Sequence, residues 1–302
     1  MMKTKLFILI AVSLIFAACS STTTTTNTDS NAPATTPATT AAQATPTLDP
    51  NAPVKFLFAD FPAVATTAKA GDYVLCPSRE MVVQMSRPER KDAPTIYYTS
   101  KMITPGATES QVQSLYSPGP QMVPNAYLIT IPAAQKAKVG DVVLTWWQSG
   151  SGMQTAIVTD ASNPAEPTVR YLATIIDPNK DRIEKLMPNS FVKLSRPFQP
   201  GTSVAVKGES SRPEHWSVIS IAGDKVFAIG FAGKLKLLNK ADCTPVPIKP
   251  QVKAGDKVQA VIHGSFTNAT VVSVDEKLGK VVVKQDGQTE EKAVDFGDVM
   301  KP

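Results

Sequence analysis

The clearest hydrophobic pattern lies at the C-terminal end of the chain. Val258-Gln259-Ala260-Val261-Ile262 and Ala269-Thr270-Val271-Val272-Ser273-Val274 are rich in β-branched residues and read as two strands. A turn at Lys277-Leu278-Gly279 leads into a third, Val281–Gln285. Asp286-Gly287 is a strong hairpin signal, because both central positions of that turn need a left-handed backbone. Glu290–Val294 makes a fourth strand, and a short turn delivers Val299 into a fifth. Strands this short and closely spaced predict a small closed barrel.

The pattern recurs. Ala254-Gly255-Asp256-Lys257-Val258 opens the last copy, and Ala70-Gly71-Asp72-Tyr73-Val74, Val139-Gly140-Asp141-Val142-Val143 and Pro200-Gly201-Thr202-Ser203-Val204 open three earlier ones. The closing segments also correspond: Pro124–Leu128, Pro188–Val192, Asn239–Cys243 and Asp295–Val299. Glycine spacings of 69, 61 and 54 residues mean one supersecondary unit used four times. Immunoglobulin-like sandwiches need about 100 residues each and do not fit this spacing. Helix is minor, with two turns expected at Glu109–Leu115 and two at Asp181–Met187. The first unit carries a long irregular middle from Pro105 to Pro120.

The strand order, with Gly-Asp-x-Val-x-Ala at the start and Asp-Val near the end, resembles the Tudor/agenet/KOW group of SH3-like barrels. The match is good over 254–302, fair over 139–195 and 199–247, and poor over 70–132. The expected fold class is all-β: tandem SH3-like, Tudor-like five-stranded barrels following a disordered, lipid-anchored tether. The expected units are 54–132 (a divergent barrel), 133–197, 198–250 and 251–302. In Tudor domains several aromatic faces hold a methylated ammonium by cation–π attraction. Carried onto this chain, the resemblance implies Trp147 at the end of the second unit's first strand, Met153 where its second strand begins, and Tyr171 on its third, with Trp146 beside them. The third unit supplies Trp216, near Phe227 and Phe231; the fourth offers Ile262, Phe266 and Val283. The ordinary use of Trp147 and Tyr171 is barrel core or packing between units.

The N-terminus speaks to location. Lys3 and Lys5 precede the apolar run Leu6–Phe16, interrupted only by Ser13, and the small residues Ala17 and Ala18 come before Cys19. This is the layout of a secretory signal peptide over 1–18, with an apolar stretch too short to span a bilayer. Phe16-Ala17-Ala18-Cys19 resembles a bacterial lipobox, with Phe16 where Leu is usual. The resemblance implies a lipidated, palmitate-bearing Cys19 holding the protein to a membrane, with several acyl chains giving stable anchoring. Ser20, where an Asp would favour inner-membrane retention, points to the outer membrane. Residues 19–53 are almost entirely Thr, Ala, Pro, Ser and Asn. Such a tether cannot bury enough apolar surface to order itself. It spans roughly 30 Å as a flexible coil and ~105 Å if stretched into polyproline II.

Composition narrows the chemistry. With 31 basic against 26 acidic residues, the net charge of +5 is scattered along the chain, which argues against nucleic acid as a partner. There are only 2 His, so metal sites and His-dependent catalysis are scarce. His215 and His263 are expected in solvated loops between first and second strands, without a third metal ligand. Cys76 and Cys243 could pair in an oxidising compartment or remain apart. Arg87–Asp92 reads as a mixed-charge hairpin tip. No phosphate loop, nucleophile elbow or His-Glu-x-x-His occurs. No catalytic residue, metal or cofactor is expected. The reading is therefore a non-enzymatic envelope lipoprotein that binds or scaffolds a protein partner; the alternative is a peptidoglycan- or glycan-binding envelope module.

Overall fold

The computed structural model describes residues 56–85, 93–150, 152–172, 182–208 and 211–302. The expected signal peptide, the expected lipidation site Cys19, the expected tether over 19–53 and the expected hairpin tip Arg87–Asp92 lie outside the described residues. No helix among the described residues is long and apolar enough to cross a membrane.

The fold is all-β, built from tandem five-stranded units. The first contains β1 (Tyr73–Cys76), β2 (Tyr98–Thr104), β3 (Glu109–Ser114), β4 (Pro120–Pro124) and β5 (Ile129–Ile131). The second contains β6 (Val142–Trp146), β7 (Met153–Asp160), β8 (Thr168–Tyr171), β9 (Ile183–Lys185) and β10 (Val192–Lys193). The third runs through β11 (Ser203–Lys207), β12 (Pro213–Ala222), β13 (Lys225–Gly230), β14 (Leu235–Asn239) and β15 (Cys243–Pro245). The fourth runs through β16 (Lys257–Ile262), β17 (Ser265–Asp275), β18 (Lys280–Gln285), β19 (Glu291–Asp295) and β20 (Val299–Met300). In every unit the four leading strands form an antiparallel meander, and the fifth returns to pair with the first. A tight turn precedes that fifth strand each time. It is a 3-10 turn at Asn125–Tyr127 and at Lys240–Asp242.

The leading glycines fix this closure. Gly71, Gly140, Gly201 and Gly255 have φ of +89°, +83°, +89° and +87°, a region that a β-carbon disfavours. Their N–H groups donate to the carbonyls of Met102, Val158, Val218 and Val271 on the second strand. The N–H groups of those four residues donate back to the carbonyls of Asp72, Asp141, Thr202 and Asp256. The Asp72, Asp141 and Asp256 carboxylates and the Thr202 hydroxyl each accept the backbone N–H three residues earlier. Immediately beyond this clasp the second strand bulges in all four units, which bends it around the barrel.

Three sequence expectations change. Glu109–Leu115 and, from Arg182 on, the described part of the 181–187 segment are not helical; they contain β3 and β9. In β3, burial alternates at Ser110 and Val112 as a strand requires, and Ser110 is held by a 2.6 Å bond to the Asn125 side chain. The irregular middle of the first unit thus carries a regular strand. The helix of that unit, α1 (Arg79–Met85), lies instead between β1 and β2.

The four units pack around a shared centre. The largest buried cluster takes Leu75 and Ile129 from the first unit, Leu144 and Trp146 from the second, Ile219 and Phe227 from the third, and Val258 and Val299 from the fourth. Of these strands β6 is buried on both sides. In β6, Val143 joins the second unit's own core, whereas Val142, Leu144 and Trp146 point into the common one. Phe56, Phe58 and Phe61, on the segment leading into the first unit, gather around Phe227 of the third. Third and fourth units are further joined by the ladder pair Glu214↔Ser265, which merges their strands into one ten-stranded sheet.

Candidate functional site

The aromatic residues expected to line a ligand cage take very different positions. Trp146 is fully buried, tilted against Tyr73 of the first unit with ring centroids 4.9 Å apart. Met153 packs on the common core, and its N–H donates to the Tyr97 carbonyl across the junction of units 1 and 2. Phe266 is buried where units 3 and 4 meet, 5.9 Å from the His215 ring. Phe227 lies in the central aromatic cluster, Val283 is buried, and Phe231 stands largely in solvent.

Trp147 alone of the second-unit group presents a half-buried ring at the barrel mouth. It follows β6 with the parity of Val143 and Thr145. Its loop folds back through a hydrogen bond from Gly150 N–H to the Trp147 carbonyl, which seats Gly150 against the indole. The indole Nε1 donates to Glu184 Oε1 at 3.2 Å. The Arg182 guanidinium carbon lies 3.5 Å from the ring centroid, a close cation–π contact. Tyr171, buried beneath, has its hydroxyl 2.9 Å from Glu184 Oε2 and 3.1 Å from the Trp146 carbonyl, and it accepts the Gln148 N–H at 3.0 Å. Burial, with the neighbouring carboxylate, pushes the Tyr171 phenol well above its ordinary range. Ser149 bonds the same carboxylate through its N–H and its hydroxyl. Burial opposes ionisation of Glu184, but the hydrogen bonds from Ser149, Tyr171 and Trp147 outweigh it and hold its pKa below the usual value.

The mouth is therefore an aromatic face edged by an anion, with the protein's own cation resting on it. Sequence reasoning found Trp147 and Tyr171 but missed Arg182 and Glu184. The alternation Arg182-Ile183-Glu184-Lys185 was the available signal, since on a strand it sends Arg182 and Glu184 to one face. The third unit repeats the theme more deeply. Trp216, 7% exposed, lies against Gly230, donates Nε1–H to Glu214 at 3.1 Å, and has Lys236 5.5 Å from its ring centroid.

A second polar cluster sits at the seam of units 3 and 4 and corrects the expectation for His215. This residue is on β12, not in a loop, and is half-buried there. His263 does occupy the expected turn, with Gly264, between β16 and β17. His215 Nε2 lies 2.8 Å from Ser203 Oγ and 3.7 Å from Asp298 Oδ1. Because hydroxyl and carboxylate approach the same ring nitrogen, the three cannot act as a relay in which the acid orients the imidazole from its far side. Burial lowers the His215 pKa to about 4; burial, with Asp295 nearby, raises that of Asp298 to about 7. Asp295 itself pairs with Arg170 of the second unit at 2.7 Å.

Cys76 and Cys243 are free thiols in separate units. Burial pushes the Cys76 thiol up to about 11, which removes it from thiolate chemistry at neutral pH. Among the described residues, no three His, Cys, Asp or Glu side chains converge as metal ligands.

No protein-family model matches the chain, and no curated protein matches it either. Among solved structures, it is similar to the four MBT repeats of Drosophila melanogaster Sfmbt in complex with a peptide RHR(me)KVLR. That similarity covers 77% of this chain and 88% of the other, at 7% identity and a TM-score of 0.16. A score that low supports no transfer of fold or ligand; the all-β assignment rests on the strands described above.

Proposed function

We propose that this chain is a non-enzymatic, lipid-anchored envelope protein of the outer membrane that binds or scaffolds a protein partner through the mouth of its second barrel. The observation that carries the binding role is the Trp147 face, half-open and bordered by the ionised Glu184, with Arg182 stacked upon it. Such a surface recognises a basic or aromatic side chain, which exchanges with Arg182 on the indole. Anchoring is supported by the Lys3–Cys19 pattern, and reach by the composition of 19–53.

The binding role is tested by presenting envelope proteins to a soluble 54–302 fragment and to its Trp147→Ala form. The reading requires one retained protein whose affinity falls at least about tenfold in the variant while the thermal midpoint drops by no more than about 4 °C. Equal retention by both forms overturns it. Anchoring is tested by the mass of the mature N-terminal peptide, which must carry acyl chains on Cys19.

A further inference from the structure

From a cavity in the first barrel, distinct from the Trp147 mouth, we infer a binding site for a neutral saccharide unit. The cavity measures 270 Å³ and opens at the end of the barrel where β1, β2, β3 and the start of β4 converge. A volume at the bottom of the range of small-molecule pockets, about 300–1,000 Å³, suits a single sugar ring.

Its wall is rich in uncharged donors. Ser78, Ser100 and Ser114 each accept a hydrogen bond already, from Met81 N–H, the Cys76 thiol and Tyr116 N–H respectively. Their hydroxyl protons are left to donate inward. Gln121 behaves alike: its Oε1 accepts Arg79 N–H at 2.8 Å, which orients its amide nitrogen as a donor. The one charged lining group is Glu80, an acceptor. Hydroxyl and amide donors opposite a carboxylate match vicinal sugar hydroxyls, which accept and donate at once. With no Lys or Arg in the lining and Glu80 at the rim, an anionic ligand would be repelled.

Two tyrosines supply the apolar side of the match. Tyr98 and Tyr116 both line the cavity and both keep part of the ring accessible. Aromatic faces of this kind cover the C–H side of a pyranose. Tyr116 is held in place from outside, since its hydroxyl donates to the Gly150 carbonyl of the second unit. The wall is thus preformed, which limits the ordering cost of binding. Cys76 closes the floor of the cavity.

The test uses the full chain, with glucose and N-acetylglucosamine as probes and sodium acetate as an anionic control. Saturation-transfer NMR is expected to show saturable, millimolar-range binding of at least one sugar and none of acetate. Tyr98→Ala and Gln121→Ala should each weaken binding at least fivefold, with Trp147→Ala leaving it unchanged. If Tyr98→Ala lowers the thermal midpoint, Tyr98→Phe, which retains the ring, should bind as the parent does. Absence of saturable binding by either sugar, competition by acetate, or unchanged affinity in Gln121→Ala overturns the inference. Loss of sugar binding in Trp147→Ala would place the ligand at the second barrel instead, and also overturns it.

Discussion

Phe56 and Phe227 pack edge to face, their ring centroids 5.1 Å apart and their planes at 84°. Phe56 belongs to the segment that enters the first unit, Phe227 to the third. With Tyr127 meeting both rings edge to face, the contact ties the segment leading into the first unit to the common core. Phe227→Ala is expected to cost about 3–5 kcal/mol, the usual toll for deleting a buried aromatic. A cycle with Phe56→Ala should return a coupling of about 0.5–1.5 kcal/mol beyond the area lost. Urea denaturation measures both, and independent, additive effects would show that the two rings do not stabilise each other.

The two adjacent tryptophans should separate cleanly. Trp146→Ala removes a fully buried ring from the shared core and is expected to destabilise by about 3–5 kcal/mol. Trp147→Ala removes a half-open ring and should cost about 1 kcal/mol, chiefly its stacking with Arg182. Comparable losses at both positions would assign Trp147 to the core as well.

Gly201 and Gly255 share the left-handed backbone but not the surroundings. A β-carbon on Gly255 meets nothing within 4 Å, whereas on Gly201 it would come within 2.8 Å of Leu144 of the second unit. Gly255→Ala should therefore cost about 1–2 kcal/mol, the backbone term alone. Gly201→Ala should add about 1–3 kcal/mol for overpacking. Equal thermal shifts in the two variants would deny the close approach of units 2 and 3 at this point.

The seam of units 3 and 4 predicts opposing pH dependences. Asp298, raised to about 7, favours folding below about pH 4, and this contribution is lost as the pH climbs through 7. His215, lowered to about 4, favours folding above about pH 6.5, and this is lost as the pH falls toward 4. Between those limits the unfolded chain carries a proton on the histidine and the folded protein one on the aspartate, so the two slopes cancel. Ser203, Phe266, Asp295 and the Arg170 paired with it supply the surroundings and are unchanged in both variants below. His215→Gln should leave stability falling from pH 4 to 7, and Asp298→Asn should leave it rising from pH 4 to 6.5. Urea midpoints across that window decide, and slopes of the same sign in the two variants would be fatal to this account.

The fourth unit was the most legible in sequence because its connections are short: a two-residue turn at His263-Gly264, and a link from β18 to β19 that opens with a turn at Asp286-Gly287. The first unit hid its identical topology behind two departures. A helix fills the link between β1 and β2, and β3 carries its inward positions on Ser110 and Val112, the former polar and satisfied by Asn125. Hydropathy alone is silent about such a strand. The parity of Trp147 can be read from β6, but Arg182 and Glu184 cannot be placed by a pattern that over Asp181–Met187 reads as two turns of helix. Nor did local pattern announce the shared centre, although the unbroken apolar run Val142-Val143-Leu144 suits a strand covered on both faces.

The Gly71, Gly140, Gly201 and Gly255 clasps close their modules through main-chain hydrogen bonds and one short acceptor side chain apiece. Closure consequently asks almost nothing of the residues at the open ends. The mouths can therefore differ from unit to unit under one and the same closure: an indole beside a carboxylate in the second, a ring of hydroxyl groups in the first.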